Sequence, residues 1–508
     1  MTAPPRIDVL VIGAGPAGLT GANVLVNRGR RVTVVEQDDQ VGGLARTVTY
    51  KGFRFDIGGH RFFTRVDALR DLWRSTLGDQ LLTRPRLSRI FYNGHYFSYP
   101  LRPVNALQGL GVVNAVRVVA SYAWSRLRPI RHEVSFEDWV CNRFGRRLFE
   151  VFFKTYTEKV WGMPCSEIGA QWAAQRIQSL SLWTAITDML FKRFRRAGRA
   201  PVKSLIEQFE YPRLGPGMMW DAFHARLVEA GQDVLLDTPL HRLDHDHGRI
   251  TSVTYTHRGR DVTAPVDAVL STMPLRQLVE SLSPPAPPDV QRAAAQLQYR
   301  AFITVALIID KAEIFADNWI YVHDPSVKLG RIQNFKNWSP DMVPDQTRTC
   351  LGLEYFCAEG DPLWQLSDDD LIALGRRELA ELGLASPDTI VDGAVVRMPH
   401  AYPVYSTDYE QAVSVIRQYL AGFSNLQVAG RNGMHKYNNQ DHSMATAMLA
   451  AENLLGGATD PWCINADDEY HEQSAGAAGG VLADLDALAR TQPLVPMPLR
   501  SSEPTQVL

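Results

Sequence analysis

The apolar positions open with a short continuous run at 7–12 (IDVLVI), continue at helical spacing through an Ala- and Leu-rich stretch, and return as a β-branched run at 32–35. Short apolar runs bounded by turn residues read as buried strands, and a 3.6-residue recurrence between them reads as a helix. Residues 7–36 therefore predict a strand–glycine turn–helix–strand unit. From about 65 to 210 the pattern is mainly helical, with amphipathic segments near 66–77, 105–127, 136–153 and 182–197. Alternation returns at 220–275, where a helix (AFHARLVEAG) precedes the short strands DVLLD, ITSVTYTH and APVDAVLST. Period-two runs at 299–358 (AFITVALIID, NWIYVHD, RTCLGLEYFC) suggest an antiparallel sheet forming a substrate floor, and 425–456 reads as strand, glycine turn and helix.

These patterns predict an α/β fold. A Rossmann-type dinucleotide domain is expected from three separated pieces, 1–64, 212–290 and 425–465. A mainly helical insertion or lid would occupy 65–211 and an antiparallel β-sheet substrate domain 291–424. Residues 466–508, rich in Ala, Gly, Pro and Ser, are expected to form a largely disordered tail.

A chain of 508 residues is too long for one ordinary core, which agrees with a division into subdomains. The net charge of -2 argues against a general nucleic-acid binder, which needs an excess of Lys and Arg. Five cysteines without close CxxC spacing point to reduced thiols rather than a metal or redox site. The first apolar run lacks a basic leader, so a cytoplasmic protein is expected. The most apolar longer stretch, 107–124, carries Arg117 and Asn114 and reads as an amphipathic helix, packed on the core or resting at a membrane surface. Lys192, Arg193, Arg195, Arg196, Arg199 and Lys203 alternate with Phe191 and Phe194. That run is a solvated face, a lid meeting phosphate, or a contact with anionic membrane.

Candidate chemistry begins at GAGPAG, where Gly13, Gly15 and Gly18 stand between the first strand and helix. The first allows the tight turn, the second lets backbone approach a pyrophosphate, and the third lets helix pack on strand. The helix N-terminus favours phosphate, and Glu36, ending the second strand, is placed to bind a ribose. In the continuation VGGLART, Gly42 and Gly43 would let backbone run beside the pyrophosphate, and Arg46 would reach a phosphate or flavin. This continuation turns the expected dinucleotide from NAD to FAD.

The stretch VVEQDDQVGGLARTVTYKGFRFDIGGHRFF resembles the N-terminus of the amine oxidase, protoporphyrinogen oxidase and UDP-galactopyranose mutase group of flavoproteins. Within that group, FKTYTEKVWGMPCSEI is similar to the mutase's Tyr-Thr-Glu-Lys-x-Trp-Gly segment, and YNGHYFSYPL to its aromatic hairpin. LQYRAF, GRIQNFKNW, LEYF and VAGRNGMHKYNNQDHSM follow in the mutase's order. Two spacings depart from the pattern by one residue, after Tyr437 and between Trp161 and Arg176. The 180–210 segment has no counterpart to the uridine-binding region.

The resemblance implies an FAD-dependent sugar mutase that interconverts pyranose and furanose rings of a nucleotide-activated sugar, through attack of reduced flavin N5 on the anomeric carbon. It assigns His60, Arg331 and Arg431 to catalysis, and Trp161, Arg176, Tyr355 and Tyr437 to substrate binding. Arg and Tyr suit a diphosphate because guanidinium pairs bidentately with phosphate and phenols add directional donors. Gly430 and Arg431, with the helix around Met444, would face the flavin and stabilise its reduced anion. The alternative is a true oxidoreductase of the amine oxidase or protoporphyrinogen oxidase type, acting on an amine, sugar or isoprenoid. The STMPL turn at 271–275 favours that alternative. A homo-oligomer is left open by the sequence.

Overall fold

The computed structural model describes residues 6–64, 66–99, 103–170, 208–406 and 408–465. The basic run 192–203, the amphipathic segment 182–197, Arg176 and the 466–508 tail lie outside the described residues.

The parallel core forms as the β-branched runs dictate. Ile7–Ile12 lies between Val32–Val35 on one side and the end of Arg260–Ser271 on the other, with Val9 opposite both Val32 and Ala268. Leu426–Val428 pairs parallel beyond Arg260–Ser271, and Asp233–Leu235 beyond Val32–Val35. Two long helices, Pro16–Asn27 and Gln440–Leu454, pack on one face through Leu19, Ala22, Ala447 and Ala451. Small residues here let backbones approach closely. Arg260–Ser271 begins as part of an antiparallel meander with Arg249–His257 and Leu240–Asp246, and ends inside the parallel sheet.

A second sheet runs in the order Ile390–Pro403, Tyr299–Ile309, Thr349–Cys357, Arg331–Asn334, Trp319–Val322, Ser88–Tyr92, His95–Ser98. Its pairings are antiparallel except that Trp319–Val322 runs parallel to Ser88–Tyr92. The stretch read as a helical insertion therefore contributes two strands to this sheet. They are joined at Asn93 and Gly94, both at positive φ (49° and 75°), the geometry of a tight two-residue hairpin. Conversely, helix Tyr409–Leu420 buries Ala412, Ile416 and Leu420 against the dinucleotide sheet, although it lies within 291–424.

Asp56 ties the Thr47–Asp56 hairpin to the strand Gln208–Pro212. Its carboxyl is fully buried, accepting from Tyr211 Oη at 2.7 Å and Thr47 Oγ1 at 3.1 Å. Burial pushes its pKa up to about 8, against the pull of those two donors, so it is a neutral acid through most of the working pH range.

Candidate active site

A cavity of about 1330 Å³ lies between the two sheets. That exceeds the few hundred to about 1000 Å³ typical of a single small ligand, and suits a dinucleotide with a substrate beside it.

Backbone builds one end. Gly13, Gly15, Gly43 and Gly430 line the cavity with Glu36 and Arg46. At Gly18 a Cβ would stand 1.8 Å from the Gly13 carbonyl oxygen, so helix and turn meet only because no side chain intervenes. Gly430 at φ +85° lies against Ala17, where a Cβ would come within 2.8 Å of that methyl. Glu36 accepts from the Ala14 N–H at 2.6 Å and the Asp38 N–H at 3.0 Å, and burial raises its pKa. Arg46 pairs with Asp38. The helix expected around Met444 begins at Gln440, capped by Asn439. Buried atoms on the cavity wall, His60 Nδ1, Gln333 Oε1, Asn432 Oδ1 and Gln440 Oε1, have no protein hydrogen-bond partner. Glycine-lined backbone, a helix N-terminus and unsatisfied polar atoms fit FAD.

Side chains build the other end. Arg331 and Gln333, two apart on one strand, point to the same face and converge on Glu354 of the neighbouring strand. Arg331 Nε donates to Glu354 Oε2, and Gln333 Nε2 donates to Oε1 at 2.7 Å. Glu354 is 0% exposed. Burial is the largest influence and acts to lower the Arg331 pKa, but Glu354 and the surrounding tyrosines together outweigh it and the group is held well above its ordinary value. Arg431 is fixed differently: Nε donates to the Asn438 carbonyl at 2.9 Å and Nη1 to the Ala401 carbonyl at 3.1 Å. Its guanidinium lies over the Tyr437 ring at 4.7 Å, and Tyr437 stacks on Tyr402 at 5.7 Å. His60, beside both arginines, is driven to a pKa of about 3 by burial and then by their charges, so it is neutral. Tyr156 stacks on His323 at 4.8 Å and meets Tyr321 edge-on. Burial raises the phenol pKa values of Tyr156 and Tyr402, keeping both as donors. Trp161 stacks on Tyr405 at the wall.

Two expected site residues point elsewhere. Tyr355 follows Glu354 on a strand, so its side chain takes the opposite face and donates to Glu378 Oε2 at 3.1 Å in a separate core. Met444 is fully buried, and its sulfur accepts from Trp73 Nε1 at 3.3 Å rather than facing the cavity. Gly18 and Gly42 shape the backbone behind the wall without lining it. Glu354, Gln333, Tyr156, Tyr321, His323 and Tyr402 were not singled out from sequence. The register opposing Arg331 to Glu354 is the signal that identifies the acidic partner.

Residues 16–455 match the family model of flavin containing amine oxidoreductases. A Mycobacterium tuberculosis protein assigned as a flavin-containing monoamine oxidase is 26% identical over 313 residues, covering 58% of this chain and 63% of that one. Putrescine oxidase of Kocuria rosea is 31% identical over 147 residues, 26% of this chain and 30% of that one. An inactive all-trans-retinol 13,14-reductase of Danio rerio is 56% identical over 55 residues, 11% and 9%. The chain thus spans less than two thirds of the length of these curated relatives. A crystal structure of reduced UDP-galactopyranose mutase superposes with a TM-score of 0.77 at 21% identity, over 91% of this chain and 98% of that one, a likeness of fold.

Proposed function

The chain belongs to the family of flavin-containing amine oxidoreductases, and from that premise we propose that it is an FAD-dependent mutase interconverting the pyranose and furanose rings of a nucleotide-activated sugar. Reduced FAD supplies the nucleophile that lets an anomeric bond be exchanged without net oxidation. The observation that carries this reading is Arg431. Among the described residues it forms no ion pair, its hydrogen bonds go to two carbonyls, and it faces the cavity beside the stacked Tyr402 and Tyr437 rings. A fixed guanidinium with uncompensated charge suits a diphosphate oxygen.

The other residues supply orientation. Glu354 and Gln333 hold Arg331 in one rotamer, and the protonated phenols of Tyr156 and Tyr402 donate to sugar or phosphate oxygens. Neutral His60, with Nδ1 unsatisfied, offers one hydrogen bond to a sugar hydroxyl. The aromatic walls exclude water. A second reading, oxidation of a small amine or alcohol, is favoured by the Arg331–Glu354 pair, whose charges cancel and leave that part of the chamber open to a neutral or cationic substrate.

The test is anaerobic incubation of the purified flavoprotein, with and without dithionite, against a panel of nucleotide sugars, following flavin absorbance and sugar isomers together. Isomers formed only with reduced flavin and without net electron consumption support the mutase. Bleaching of oxidised flavin with an oxidised product and no isomer would replace it with the oxidase.

A further inference from the structure

Helix Pro103–Leu127 is interrupted at Gly111, whose φ of 75° and ψ of 161° are non-helical, so residues 112–127 form a separate segment. Its burial is inverted relative to a surface helix of a globular protein. Val118 and Tyr122 face inward, and Val118 packs in the cluster that holds Phe97, Phe136 and Phe152. Outward stand Val112 (81% exposed), Val113, Val116, Val119, Trp124 (59%) and Leu127 (78%). Positions 112, 116, 119 and 127 recur at helical spacing on one stripe, with 113 and 124 beside it. A contiguous apolar patch of this kind on a surface marks an interaction site.

The charges say with what. Arg126 lies along one edge of the stripe and Arg117 and Arg128 along the other, all exposed, and the Arg128 guanidinium lies over the Trp124 ring at 4.8 Å. Between Asp79 and Glu133 the sequence contains no Asp or Glu. Of the carboxylates that follow, Glu133 pairs with Arg143 at 2.8 Å, Glu137 with Arg146 at 2.9 Å and Glu150 with Arg147 at 3.1 Å, while Asp138 accepts from the Val134 and Ser135 N–H groups. An apolar stripe carrying a tryptophan and bordered on both sides by arginine matches a bilayer interface, with acyl chains under the valines and anionic headgroups at the edges. Sixteen helical residues reach about 24 Å, short of the roughly 30 Å needed to span. A two-fold contact between copies would instead bring like arginine edges together, with no acid among residues 112–127 to offset them. We propose that the exposed face of residues 112–127 docks this protein in the plane of an anionic lipid surface.

The FAD-loaded protein is sedimented with extruded vesicles of phosphatidylcholine alone or with about 30% phosphatidylglycerol. Wild type pellets with the anionic vesicles at least roughly tenfold more than with the neutral ones, and added salt weakens this. The double variant Val116→Asp/Leu127→Asp keeps its flavin and loses the pelleting. Brominated lipids quench wild-type fluorescence, and Trp124→Phe removes that quenching. Absence of wild-type pelleting with anionic vesicles overturns the proposal, as does equal pelleting of the double variant. A concentration-dependent dimer that the double variant abolishes, with no vesicle binding, overturns it in favour of self-contact.

Discussion

The two ends of the cavity are made of different material. The FAD end is a cradle of main chain in which glycines matter for the side chains they lack, whereas the substrate end is a chamber of long side chains holding one another. On the proposed reading, a substitution in the cradle would act by steric intrusion into backbone and remove the cofactor. In the chamber, a substitution leaves the cofactor in place and changes what is done with it. Separable defects are the expected signature of this division.

Gly18→Val tests the cradle most severely. With a Cβ required to sit 1.8 Å from a carbonyl oxygen, turn and helix must part. The expected outcome is purified protein with less than about a tenth of the wild-type flavin absorbance after desalting, a loss of the order of affinity that helix N-terminal phosphate sites supply. Full occupancy would break the comparison. Arg431→Ala is next: on the proposed function, turnover falls by roughly 10² or more, as for removal of a group that stabilises developing charge, while the flavin spectrum is unchanged. Loss of FAD together with activity would place Arg431 in the cradle instead.

The pH dependence of stability comes third. Asp56 has a folded pKa of about 8 against an ordinary carboxyl value of 3.8. Below that ordinary value both folded and unfolded states hold the proton. Between it and about 8 the unfolded chain releases the proton while the folded one keeps it, so stability declines as pH rises. Asp56→Asn, which stays neutral, is expected to flatten this decline in denaturant midpoints between pH 5 and pH 8, a window taken from the raised pKa. An unchanged slope would mean that Asp56 is ionised in the fold. Tyr355→Phe gives the smallest effect. Losing its bond to Glu378 costs about 1 kcal/mol in chemical denaturation, and kcat/KM is unaltered because the ring lies behind the chamber wall.

The cradle was legible in the sequence because its information is local: strand, GAGPAG, helix and Glu36 fall within one short stretch, and each glycine answers a backbone need. The chamber was legible only in part. Arg331, Arg431, His60, Trp161 and Tyr437 reach the cavity, while Tyr355 misses it by one step of strand alternation, a matter of which face the chain turns inward. Glu354 stayed hidden because its meaning arises only when two strands distant in sequence are set in register. Met444 was misplaced for a related reason, since the helix turns Gln440–Ser443 and Ala445 toward the cavity and Met444 into the core against Trp73.

The contact between Ala17 and Gly430 also sets a timetable for biosynthesis. During synthesis the GAGPAG turn is made long before the strand and helix that close over it, Leu426–Val428 and Gln440–Leu454. Until those segments are made, the sheet lacks its Leu426–Val428 strand and the helix that covers it. On this reading the cradle is complete for FAD only once residues 426–454 have been made.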